Sequence, residues 1–211
     1  MKRIDTQGVT YLEPIGGGGW YFGMTVPNGD LYEAEELYRD GHPIRQNRLV
    51  LVHYPEGRAV QPVPARPGRY FEHPVYDAGQ IVLLYVDFPE GQIHLDTYDP
   101  GAERTAPLAV IPLSEVEDCY NLMLGTSPPM LTRQADDKLQ IIWPERAEFD
   151  VDPAAGFCFR EGERPYFSAW REDPDYHEDT VVVDCRTGEV VERLPDTAPM
   201  ALPDGQGWIL G

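Results

Sequence analysis

"EPIGGGGWYFGM" occupies residues 13–24. Four glycines ahead of a tryptophan resemble a loop that cradles a phosphate, and what they do decides how the rest of the chain is understood. A P-loop needs G-x-x-x-x-G-K-[ST], with its lysine on the phosphates. The lysines here are Lys2 and Lys138, neither of them near the cluster. A dinucleotide loop needs a helix after the glycines, so that backbone N–H groups face the anion. The glycines run instead into "WYFGMTV" (20–26), aromatic and β-branched, which reads as a strand. The cluster is therefore assigned a structural role.

A second glycine-tryptophan segment ends the chain. "GGGWYFG" (17–23) and "GQGWILG" (205–211) share G-x-G-W, two large apolar residues and G. Trp20 and Trp208 stand 188 residues apart, or four steps of 47. Weaker copies lie between them at Tyr70, Tyr120 and Tyr166; counted from Tyr21 of the first segment to Ile209 of the last, the spacings are 49, 50, 46 and 43. A second marker recurs independently, an apolar strand, a turn and another strand. It is seen in "RLVLVHYPEGRAVQPV" (48–63), "IVLLYVDFPEGQIHLDTYD" (81–99), "LQIIWPERAEFDV" (139–151) and "TVVVDCRTGEVVERL" (180–194).

Units of about 40–50 residues holding several short strands are the pattern of propeller blades. A blade cannot cover both of its own faces, which accounts for strands such as "IVLLYV" (81–86) that lack polar alternation. The sequence predicts one all-β domain over 1–211, a small β-propeller-like repeat of four, or five, blades, with units near 20–68, 69–118, 119–164 and 165–211. A β-sandwich is the competing arrangement. In the propeller reading, "VTYL" (9–12) pairs beside "GWIL" (207–210) to close a ring, with Trp20 and Trp208 both buried. One short helix is predicted at 31–39, where Asp30 caps, Glu33 completes a capping box, and Leu31, Ala34, Leu37 and Tyr38 form an apolar stripe. "LSEVEDCY" (113–120) offers a further helical turn.

Composition narrows the partners. The formal net charge is −19, with 36 acidic and 17 basic residues. A polyphosphate backbone or an anionic membrane surface would be repelled, so neither nucleic acid nor membrane is an expected partner. The N-terminal stretch has no apolar signal region, and a cytoplasmic location is expected. Cys119, Cys158 and Cys185 are far apart and show no C-x-x-C spacing, which supports neither a disulfide framework nor a zinc site.

No catalytic constellation stands out. The histidines (42, 53, 73, 94 and 177) show no zinc-pair spacing, and Ser114, Ser127 and Ser168 lie outside any G-x-S-x-G elbow. "DPDYHED" (173–179) lacks the glycine of a calcium loop. No metal, cofactor or catalytic residue is assigned. The repeated strands place Trp20, Arg69, His73, Asn121 and Trp170 on or beside a central depression. There, aromatic and polar groups suit a small neutral or cationic ligand. The expected function is a non-catalytic binding or interaction module for a small molecule or a protein. The alternative is a hydrolase or lyase acting on a carbohydrate or lactone-like substrate, whose carboxylates would be assembled across the fold.

Overall fold

The computed structural model describes residues 1–26, 30–126, 128–173, 175–202 and 206–211. Ser127, Pro174 and Gly205, which figure in the sequence motifs, lie outside the described residues. The chain divides into two compact units, 1–119 and 120–211.

In the first unit, sheet 1 is an antiparallel meander of β1 (Glu13–Pro14), β2 (Trp20–Met24), β3 (Leu49–His53) and β4 (Arg58–Val60). Helix α1 (Leu31–Arg39) is inserted between β2 and β3. Its cap is the one read from the sequence: the Glu33 N–H donates to Asp30 Oδ1 at 2.7 Å. Leu31 and Ala34 are buried as the stripe requires. So is Glu35, which pairs with Arg39 at 2.5 Å and accepts the Cys119 N–H at 2.7 Å.

Sheet 2 holds β5 (Arg69–Phe71), β6 (Val75–Asp77), β7 (Gln80–Asp87), β8 (Gln92–Asp99) and β9 (Arg104–Pro112). Strands β5 and β6 both pair with β7, at its two ends, and act as one strand broken at Glu72–Pro74. Pro74 has no N–H for the ladder, which accounts for the break. Every residue from Ile81 to Asp87 is buried, on both faces of β7. One face meets sheet 1 in a core of Trp20, Phe22, Leu51, Phe71, Leu83 and Tyr98, among others.

In the second unit, sheet 3 comprises β10 (Leu122–Gly125), β11 (Met130–Ala135), β12 (Lys138–Trp143) and β13 (Ala147–Asp150). Sheet 4 comprises β14 (Ala155–Glu161), β15 (Arg164–Arg171), β16 (His177–Val183) and β17 (Val190–Leu194). Leu139, Ile141 and Phe149 of sheet 3 pack on Phe167, Ala169 and Val181 of sheet 4. A hairpin of β18 (Ala198–Ala201) and β19 (Gly207–Leu210) ends the chain. The fold class is thus all-β and propeller-like, with four small blade-type meanders in place of the two sheets of a sandwich. Among the described residues, no helix is long and apolar enough to cross a membrane.

The glycine cluster is a tight turn from β1 to β2. Gly18 and Gly19 adopt left-handed backbone (φ 59° and 71°), which glycine enters without strain. The Tyr76 ring lies against the turn so closely that a Cβ on Gly17 would stand 2.3 Å from its Cδ1. The outward carbonyls are taken: Gly19 O accepts from Tyr54 N at 2.9 Å, and Gly18 O lies 3.2 Å from His53 Nε2. The glycines serve a packed turn.

Two finer expectations fail. The four tyrosines are not equivalent. Tyr21 and Tyr166 lie on the second strand of their sheets, Tyr70 on the first strand of sheet 2, and Tyr120 in a turn before β10. Aromatic residues favour strands in general, so they recur at blade spacing without marking one strand position. The hairpin markers hold better, each falling on a paired couple of strands: β3–β4, β7–β8, β12–β13 and β16–β17. The closure argument also fails. Residues 9–12 form no strand, β19 pairs with β18, and Trp208 is 51% exposed where Trp20 is 4%. Trp208→Ala is therefore expected to move stability by less than about 1 kcal/mol, as an exposed side chain should. Urea denaturation checks this, and a loss above about 3 kcal/mol would restore a core role for the residue.

Candidate functional site

The five residues singled out by sequence fall into two groups. Three belong to the first unit. Trp20 is buried beside His53 (ring centroids 4.8 Å apart) and edge-on to Tyr98 (5.9 Å), with the Arg58 guanidinium 5.5 Å from its ring. Arg69 is also buried. It bonds Asp87 Oδ2 through Nε (3.1 Å) and the Pro64 carbonyl (2.9 Å), and it stacks 5.0 Å from the Tyr85 ring. His73 stands in the break between β5 and β6, half exposed, with its Nδ1 2.5 Å from Glu72 Oε1. That hydrogen bond holds the imidazole pKa above its ordinary value, against burial. Trp20 and Arg69 offer little surface to a ligand.

Arg69 belongs to a buried polar network that sequence reading missed. Arg66 and Arg69 converge on Asp87, whose side chain is 1% exposed. Tyr85, on the same face of β7 as Asp87, donates to Asp96 Oδ2 at 2.9 Å and stacks flat on His94 at 4.7 Å. Burial drives the Tyr85 hydroxyl pKa up, with Asp96 adding to it, and burial drives the His94 imidazole down. The signal in the sequence is weak. Arg69, Asp87 and Asp96 lie in three different strands, and only the register places them together.

The other two candidates, Asn121 and Trp170, are 49 residues apart in the chain yet line one cleft of about 390 Å³ in the second unit. Its walls are β10 and the start of β14, each the outermost strand of its sheet. Met123, Gln134, Phe157 and Cys158 complete most of the lining. Trp170 is 46% exposed and Met123 60%, although both are large and apolar.

Gln134, at the end of β11, builds the cleft. Its side-chain amide accepts the Phe157 N–H at 3.0 Å and donates to the Ala155 carbonyl. These are two ladder positions of β14, so one side chain does what a neighbouring strand would do and covers an edge that would otherwise be open. Asn121, at φ 48°, donates from Nδ2 to the Gln134 carbonyl at 3.1 Å. Asparagine tolerates this left-handed backbone better than most residues.

The pairing of β14 with β15 shifts register between Phe157 and Phe159, which makes Cys158 the extra residue of a β-bulge. Burial raises the Cys158 thiol pKa and the Glu178 charge adds to this, so the thiol is not poised as a nucleophile. Glu178 is the cross-strand partner of Trp170 and accepts from Ser168 Oγ. A carboxylate therefore stands beside the exposed indole. Among the described residues, no three His, Cys, Asp or Glu side chains are grouped to hold a metal. Comparison of the chain with known protein families and with curated proteins gave no match.

Proposed function

We propose that the protein is a non-catalytic binding module, and that the cleft between β10 and β14 takes a small neutral or cationic molecule. The observation that carries this reading is Trp170, an indole left about half exposed at a concave, partly polar site. An exposed tryptophan face is the best side-chain partner for a cation or for a flat or ring-shaped neutral group. Asn121 and Gln134 supply amide groups for orientation, and the Glu178 carboxylate favours a positive charge at the indole. The formal charge of −19 acts in the same direction at longer range.

The test is a titration with tetramethylammonium, a primary amine and a neutral sugar, monitored by tryptophan emission and thermal shift. A molecule that binds only the folded chain raises its melting temperature. At least one probe is expected to saturate, and Trp170→Ala is expected to weaken it about tenfold, the loss of about 1.4 kcal/mol of stacking. Equal affinity in the variant would remove the cleft from consideration.

A further inference from the structure

The opposite end of the same sheet pair carries a second cavity of different chemistry. Strand β14 begins at the Trp170 cleft and ends at a cavity of about 570 Å³ lined by Arg146, Arg160 and Arg186, with Glu145, Glu163 and Cys185. The three arginines come from separate places: the turn before β13, the end of β14 and the turn after β16. Acidic residues outnumber basic ones by about two to one in the chain as a whole, 36 to 17, yet this lining has three guanidiniums against two carboxylates. One of those carboxylates is already engaged, since Glu163 Oε1 pairs with Arg186. That pair is exposed on both sides and places Arg186 at the rim.

Arg160 is the more telling residue. Its Nε is shielded from solvent and has no hydrogen-bond partner among the described residues. A guanidinium stays protonated at all relevant pH, so this donor cannot relieve its desolvation by losing a proton. A buried donor left without an acceptor is costly, and more so when it carries charge. Such a group calls for an acceptor. Its charge is felt inside the cavity: burial pushes the Cys185 thiol pKa up, and Arg160 is the leading influence against that rise.

We propose that this cavity is an oxyanion site that takes the phosphate group of a small phosphorylated compound. Guanidinium forks match the spacing of phosphate oxygens, and three of them around one cavity suit a dianion better than a monocarboxylate. The volume leaves room for an organic group attached to the phosphate. A large polyanion remains excluded by the overall negative charge, whereas a small ligand inside the cavity meets the local guanidiniums first. This site is separate from the Trp170 cleft, and neither reading depends on the other.

The test is calorimetric titration of the full chain with inorganic phosphate, glycerol phosphate and succinate. Each titration is run against sodium chloride at matched ionic strength. Saturable binding of phosphate or glycerol phosphate is expected, weakened at least tenfold in Arg160→Gln and several-fold in Arg186→Gln. The Arg186 side chain is 72% exposed, so its replacement leaves folding intact and the second variant decides the matter even if the first does not fold. Heats indistinguishable from those of sodium chloride would overturn the proposal. So would unchanged phosphate affinity in the folded variants, or succinate bound more tightly than either phosphate compound.

Discussion

Replacing Asp87 with alanine is expected to cost about 3–5 kcal/mol of folding free energy, among the largest effects of any single substitution in the first unit. The carboxylate is fully buried and accepts from two arginines through Oδ2, with Arg66 Nε at 2.6 Å and Arg69 Nε at 3.1 Å. Removing it strands the Arg69 guanidinium, itself buried, with the Pro64 carbonyl as its remaining acceptor in this network. The penalty comes from leaving a buried positive charge uncompensated, not from losing the intrinsic strength of the pair. Arg66 is half exposed, and removing it leaves Asp87 paired with Arg69 and a half-exposed Glu90 free to be solvated, so Arg66→Ala should cost much less. Urea denaturation of both variants reads the difference. If Asp87→Ala and Arg66→Ala have the same midpoint as the parent, the network is dispensable and Arg69 is solvated in some other way.

Phe167→Ala is expected to cost a similar amount, about 3–5 kcal/mol, in the second unit. Phe167 sits at the centre of β15 with 1% of its surface exposed. Phe149 meets its ring edge-on at 6.4 Å, and Phe157 does so at 5.8 Å. Truncation removes the transfer free energy of the ring and leaves a cavity that two strands tied into ladders can close only in part. Phe157 also lines the Trp170 cleft, so the variant should weaken ligand binding there beyond its effect on stability. Thermal denaturation with and without the best probe separates the two effects. A loss under about 1 kcal/mol would show that sheets 3 and 4 do not share a tight core.

Much of the architecture was legible because its signals are local. Asp30 and Glu33 marked the start of α1 through a cap that spans three residues, and the helix runs from Leu31 to Arg39 as the stripe implied. The strand–turn–strand runs at 48–63, 81–99, 139–151 and 180–194 each became a paired couple of strands, since turn residues and apolar runs act over a few positions. The unbroken apolar run 81–86 pointed to a strand buried on both faces, and β7 is one. The tyrosine spacing gave the right number of sheets by a marker that does not hold one position within them.

The sites were less legible because they are built between strands. Asn121 and Trp170 could be named as aromatic and polar residues near repeated strands, but so could Trp20 and Arg69, which the core absorbs. Nothing in the local sequence distinguishes an indole that fills a core from one left at a cleft. That depends on which face of β15 carries it and on what covers that face. Gln134 gave no signal at all, since its role rests on meeting the backbone of Ala155 and Phe157 more than 20 residues away. The same holds for Arg146, Arg160 and Arg186, three ordinary charged residues in the sequence that tertiary structure gathers around one cavity. By itself, the sequence determined the all-β class, the blade-type hairpins, the capped helix and the structural character of the glycine turn, because turn chemistry, capping and hydrophobic runs work over short distances. Only the tertiary structure decided which tryptophan is buried, where Asp87 finds its arginines and where the two cavities lie, because strand register and sheet packing set the distances between residues far apart in the chain.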